Sequence, residues 1–182
     1  MKARILMVVL CFCAAASGQQ SGTGKALVSI PGVSGALELD PGPVAWETRV
    51  RSDGKETQLR AMSRTDHLLV TAFLQRVDFT ASPEKCRDEW WPMTEKGERS
   101  RLKLENVQKS SQEGMTRVEF IIPEAEGMPI RMKNVHAYLG ARDLCAEIHL
   151  SKVKFAPEEQ KLFDEVLATA RLHLDGGGAR PK

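Results

Sequence analysis

Apolar residues along the chain follow two periods, and the change from one to the other organises the protein. Residues 26–30 and 36–40 are brief apolar runs, separated by Pro31-Gly32 and closed by Pro41-Gly42-Pro43, both strong turn signals. Residues 46–51 and 56–63 flank Ser52-Asp53-Gly54-Lys55, where Asp-Gly is a favoured pair for a tight hairpin turn. The second of these runs alternates, with Thr57, Leu59 and Ala61 on one side and Gln58, Arg60 and Met62 on the other. Residues 68–75 predict a further aliphatic strand.

The period then lengthens. Ser82-Pro83-Glu84 supplies a capping side chain, a proline suited to the first helical position and an acid for the first turn. Cys86, Trp90 and Met93 follow at spacings of four and three, which predicts a helix carrying them on one face. Pro92 places its end near Trp91 or Met93, and the charged residues 95–101, with Gly97, read as a loop. Strands are expected at 102–109, 116–122 and 134–139, with an exposed connection over 123–133. Gly140-Ala141-Arg142-Asp143 reads as a turn and 144–150 as the returning strand. Ala156-Pro157-Glu158-Glu159 opens a second helix whose Leu162, Phe163, Val166, Leu167 and Ala170 form one stripe, and 171–174 add a closing strand. Helices that do not alternate regularly with strands predict an α+β fold, an antiparallel sheet flanked by helices.

The N-terminus changes where such a domain works. Lys2 and Arg4 precede twelve apolar residues, 5–16, too few for a bilayer crossing that needs ~20. Ala16 and Gly18 then put small residues at the two positions a signal peptidase reads, so residues 1–18 read as a secretory signal peptide. Residues 19–25 read as a flexible linker, 26–174 as a single domain and 175–182 as a disordered tail. After the leader no segment is long and apolar enough to span a membrane. Losing Lys2 and Arg4 from 26 basic residues leaves 24 against 24 acidic ones, a balance that excludes a general nucleic-acid binder. Cys11 and Cys13 leave with the leader, and the surviving pair, Cys86 and Cys145, is most simply a disulfide in an oxidising compartment. Two separate buried thiols are the other reading.

A two-residue turn at Ala141-Arg142 sets the last hairpin. It pairs Leu139 with Leu144, Ala137 with Ala146 and Val135 with Ile148 on an apolar face that awaits the second helix. The opposite face pairs Tyr138 with Cys145, His136 with Glu147 and Asn134 with His149, and a disulfide to Cys86 brings Trp90 near Tyr138. This polar face is the candidate site. Ordinary cross-strand pairing explains it most simply, without cofactor; two His and a Glu also form a zinc set with an open position for water, the basis of a small exported metal-dependent hydrolase. Candidate contact residues are Trp90 and Trp91, whose rings lie about 100° apart on a helix, and Met128 and Ile130 in the expected connection.

Residues 145–172 (CAEIHLSKVKFAPEEQKLFDEVLATARL), with Ser151-Lys152-Val153-x-Phe155-x-Pro157, resemble the strand–helix–strand ending of PsbP-like domains. The order of short strands, first helix and further strands is similar to that family over most of residues 26–174. The family includes accessory proteins of the photosynthetic oxygen-evolving complex and exported bacterial proteins of unassigned role. The resemblance implies an α/β/α sandwich built on an antiparallel sheet, and no catalytic residue carries over. It implies an exported, non-catalytic binding or assembly module of the bacterial cell envelope, its partner another envelope protein.

Overall fold

The computed structural model describes residues 19–112 and 114–174, so the leader and the tail lie outside the described residues. The chain runs β1 (Ser21–Thr23), β2 (Ala26–Ser29), β3 (Ala36–Leu39), β4 (Ala45–Val50), β5 (Glu56–Ser63), β6 (Leu68–Ala81), α1 (Pro83–Arg99), β7 (Glu105–Gln112), β8 (Met115–Ala125), β9 (Met128–Lys152), a short 3-10 turn (Pro157–Glu159), α2 (Gln160–Ala168) and β10 (Arg171–His173). The fold is α+β, as the patterning predicts. A large antiparallel sheet has the order β1-β4-β5-β6-β9-β8-β7, and a small one the order β10-β3-β2.

Strand β9 doubles back on itself around Ala141 and Arg142, where Arg142 takes a positive φ of 56°. Its outgoing arm, 128–138, pairs with β8, and its returning arm, 144–152, pairs with β6. His136 meets Glu147 and Asn134 meets His149 across the arms, which is the register that a two-residue turn dictates. Val135, Ala137, Leu139, Leu144, Ala146 and Ile148 accordingly share one buried face. They form a core with Leu59, Val70 and Leu74 of the sheet, Val28 and Leu37 of the small sheet, and Phe163, Val166 and Leu167 of α2.

Three expectations need correction. Residues 19–25 are no loose linker: β1 pairs with β4, and the Trp46 indole donates to the Gly24 carbonyl at 2.9 Å. Residues 123–133 form no open connection, because β8 and β9 pair up to Ala125 and Met128 around Glu126 and Gly127, both at positive φ. A two-residue turn with positive φ at both positions matches the twist of a hairpin, and Gly127 is its signal in the sequence. Helix α1 does not stop at Pro92 but continues to Arg99. Pro92 lies on the exposed side, so the carbonyl it leaves unbonded faces water, and a Glu95–Arg99 ion pair at 2.9 Å supports the last turn.

The two edges of the large sheet are unequal. β1 has three residues, and β7 bulges between Glu105 and Gln108 with Asn106 at a φ of 54°. Helix α1 packs on β9 and β8, while among the described residues no helix packs over the β4–β6 half of the same face. Ser82 caps α1 by accepting from the Lys85 backbone N–H.

The start of α1 presses on the β9 turn at Gly140. A β-carbon there would lie 2.6 Å from Cys86 Sγ and 2.6 Å from the Ser82 carbonyl. Gly140→Ala should therefore destabilise the protein by about 1–3 kcal/mol in chemical denaturation, the usual range for overpacking. Gly97→Ala, in open space within α1, should instead stabilise it by about 0.5–1 kcal/mol.

Candidate functional site

Strand pairing sets the side chains on the α1 face in rows across the sheet. One row runs Arg49, Gln58, Phe73, Glu147, His136 and Val118. The next runs Glu47, Arg60, Thr71, His149, Asn134 and Phe120. Parallel to these, Met62, Leu69 and Ser151 form a third. The five residues of the predicted polar face are thus neighbours, and they sit where the covered half of the face meets the open half.

The Cys86–Cys145 disulfide is present, with both cysteines fully buried. It holds α1 across the polar cluster. The ring lying over that cluster is Trp91 and not Trp90: its centroid is 5.6 Å from that of His136 and 5.7 Å from that of Phe120. Cys86 and Trp91 are the buried residues of α1, five apart and so about 140° round the helix, with the sheet-facing arc between them. Trp90, about 40° from Cys86 and so within this arc, is half-buried against the same core, and Met93, expected on the buried face, is 76% exposed. Trp91 therefore drops out of the candidate contact residues. Met128 is exposed at its hairpin turn, and Ile130 is half-buried against the α1-side core.

Within the cluster the polar atoms turn towards each other. His136 donates from Nδ1 to Glu147 Oε1 at 2.7 Å, and the Tyr138 hydroxyl donates to the same oxygen at 3.3 Å. Burial, followed by the Glu147 charge, raises the Tyr138 pKa so that its phenol stays protonated. His149 donates from Nε2 to Asn134 Oδ1 at 3.1 Å, which fixes its neutral tautomer. The His136 and His149 rings stack with centroids 4.1 Å apart and planes 10° apart. His136 Nε2 and Trp91 Nε1 are buried without a hydrogen-bond partner in the protein.

These residues do not fit the zinc set. Stacked parallel rings aim their nitrogen lone pairs along parallel planes, not at a common point, and one nitrogen of each is already engaged. Among the described residues no group of three His, Cys, Asp or Glu side chains is placed to hold a metal ion.

Beside the cluster the sheet is open. Arg49, Arg60 and Arg64 are exposed, and Phe73 and Leu69 are half-buried. Met62, Ser63, Arg64, His67, Leu69, Ser151 and Val153 line a groove of about 470 Å³. The alternation of residues 56–63 places Gln58, Arg60 and Met62 on one side, but only the register reveals that this side continues the His149 row.

Comparisons of the chain with protein-family models, with curated proteins and with solved structures find no match. No described helix is long and apolar enough to cross a membrane.

Burial, and then the neighbouring His136, depress the His149 pKa from 6.5 to about 3. A histidine whose pKa falls on folding stabilises the protein fully above its unfolded value, and that contribution is lost as pH drops below about 6.5 towards 3. Stability should therefore begin to fall below about pH 6.5, with a His149 slope of up to about 1.4 kcal/mol per pH unit. Chemical denaturation of His149→Gln over that window should show a flatter pH dependence. Replacing Cys86 and Cys145 together by Ala should lower stability by about 2–5 kcal/mol and shift Trp fluorescence to the red as Trp91 gains water.

Proposed function

We propose that this chain is an exported binding module of the bacterial cell envelope, acting through the open half of its large sheet on another envelope protein. The observation that carries the reading is the placement of α1. The disulfide holds the helix on the β8–β9 half, seals the polar cluster, and leaves the β4–β6 half of the same face as a ledge beside it. The ledge combines arginines at 49, 60 and 64 with the apolar surface of Met62, Leu69 and Phe73. Among the described residues none of these arginines has an ion-pair partner within 4.0 Å. Arginine with exposed methionine and an aromatic ring is a composition typical of protein contacts, and its charge favours an acidic partner.

Export is supported by the leader-like N-terminus and by a disulfide of the kind that persists in oxidising compartments. The PsbP-like reading is supported by α1 on one face of an antiparallel sheet and α2 on the other. A second reading as a metal-dependent hydrolase has no observation in its favour.

Affinity capture with the mature protein, kept non-reducing so that α1 stays tied down, tests the proposal. Wild type should enrich one envelope protein, and Arg60→Glu should weaken that capture about tenfold, the loss of roughly 1.4 kcal/mol, without lowering thermal stability. Equal capture by the variant would move the contact off this face. Failure to enrich any partner would count against a binding module.

A further inference from the structure

We propose that Gln19 becomes the N-terminal residue of the exported protein and closes to a pyroglutamate that lies against the outer edge of β4. The proposal rests on the export reading, which puts the cut between Gly18 and Gln19, after small residues at 16 and 18. The fold begins immediately after that bond. The Gln20 backbone N–H donates to Thr48 Oγ1 at 3.1 Å, and the Thr48 N–H donates to the Gln20 carbonyl at 2.8 Å. Gln19, one residue upstream, is exposed and outside β1. Its side chain and its α-nitrogen are therefore free to react while the following peptide is held.

Once the leader is cut, Gln19 carries both partners of an intramolecular reaction. An α-amino group has a pKa near 7.7–8.0, so a sizeable fraction is the neutral nucleophile at ordinary pH. Its lone pair attacks the side-chain amide carbon Cδ, and a new C–N bond closes a five-membered lactam. The Cδ–Nε2 bond breaks, the departing nitrogen takes the proton that the α-nitrogen loses, and one ammonia leaves. No oxidant, reductant or cofactor enters the balance.

The structure offers the product a seat. The antiparallel register of β1 on β4 sets Gln19 opposite Arg49. There Gln19 lines a groove of about 770 Å³ together with Glu47, Arg49, Arg51, Glu56 and Gln58. A lactam has one N–H and one carbonyl. The carboxylates of this rim accept from the first, and its guanidinium groups donate to the second. The ring also removes a positive charge that would otherwise stand beside two arginines, and it denies aminopeptidases the free amine they need.

The full-length chain, expressed with its own leader and recovered from the periplasm or medium, provides the test. Intact mass should correspond to a chain starting at Gln19 and lighter by one ammonia. Edman degradation should be blocked until pyroglutamyl peptidase is added, and Gln19→Ala, cut at the same bond, should give a free N-terminus. A chain starting at Gln19 that keeps its free amine after prolonged incubation at neutral pH overturns the cyclisation and leaves export standing. A chain cut elsewhere overturns the cyclisation too. An uncut chain retained in the cytoplasm overturns the export reading itself.

Discussion

Helix α1 stays on the sheet through two attachments of similar size. Burying an indole removes 150–250 Å² from water and brings roughly 4–6 kcal/mol, which is what Trp91 supplies. Closing the loop between Cys86 and Cys145, with a sequence separation of 59, contributes about 4 kcal/mol in the chain-entropy view. The remaining sixteen residues of the helix include only one more fully buried side chain, that of Cys86 itself, and many charges. Without the covalent tie, Trp91 would be the main anchor of a seventeen-residue segment, helped by half-buried Trp90 and by the Thr116 hydroxyl that donates to the Pro83 carbonyl. The tie is possible because residue 140 lacks a side chain, so the helix start and the β9 turn come into contact.

Everything beneath that helix follows from its being closed. Glu147 accepts from His136 and from Tyr138, and His149 finds Asn134, so the polar residues of two strands satisfy most of one another's needs in a place where water is scarce. The stacked imidazoles bring two basic rings within 4.1 Å, a distance at which a charge on one opposes a charge on the other. This is an arrangement for holding strands in register. The open ledge lies in the same rows, so the closed cluster also sets the position of that exposed surface.

Much of this was legible before any coordinates, and what was not has identifiable causes. The apolar and polar faces of the last hairpin follow from parity once the turn length is set, and the cysteine pair follows from counting once residues 1–18 are read as a leader. The spacing put Trp90 over the polar face where the structure puts Trp91, because a disulfide shows where a helix touches the sheet and not how far it is rolled about its axis. Pro92 suggested an early stop, but a proline on the water side of a helix leaves a carbonyl that solvent satisfies. Residues 123–133 looked like a loop because Pro123, Pro129 and Gly127 dominate their composition, whereas the tight turn needs only Glu126 and Gly127. The ledge was invisible for a different reason: joining Arg60 to His149 takes the β5–β6 and β6–β9 registers together, and neither is local.

The bulge in β7 has a consequence for how the molecule meets others of its kind. A regular outer strand presents an evenly spaced run of amide and carbonyl groups on which a neighbouring chain lays its own backbone. Asn106 in a left-handed conformation breaks that spacing near the start of β7, and exposed Lys109 adds a charge further along. At the far side β1 is too short to nucleate a second strand. Growth of the large sheet by stacking copies edge to edge is thereby discouraged at both ends.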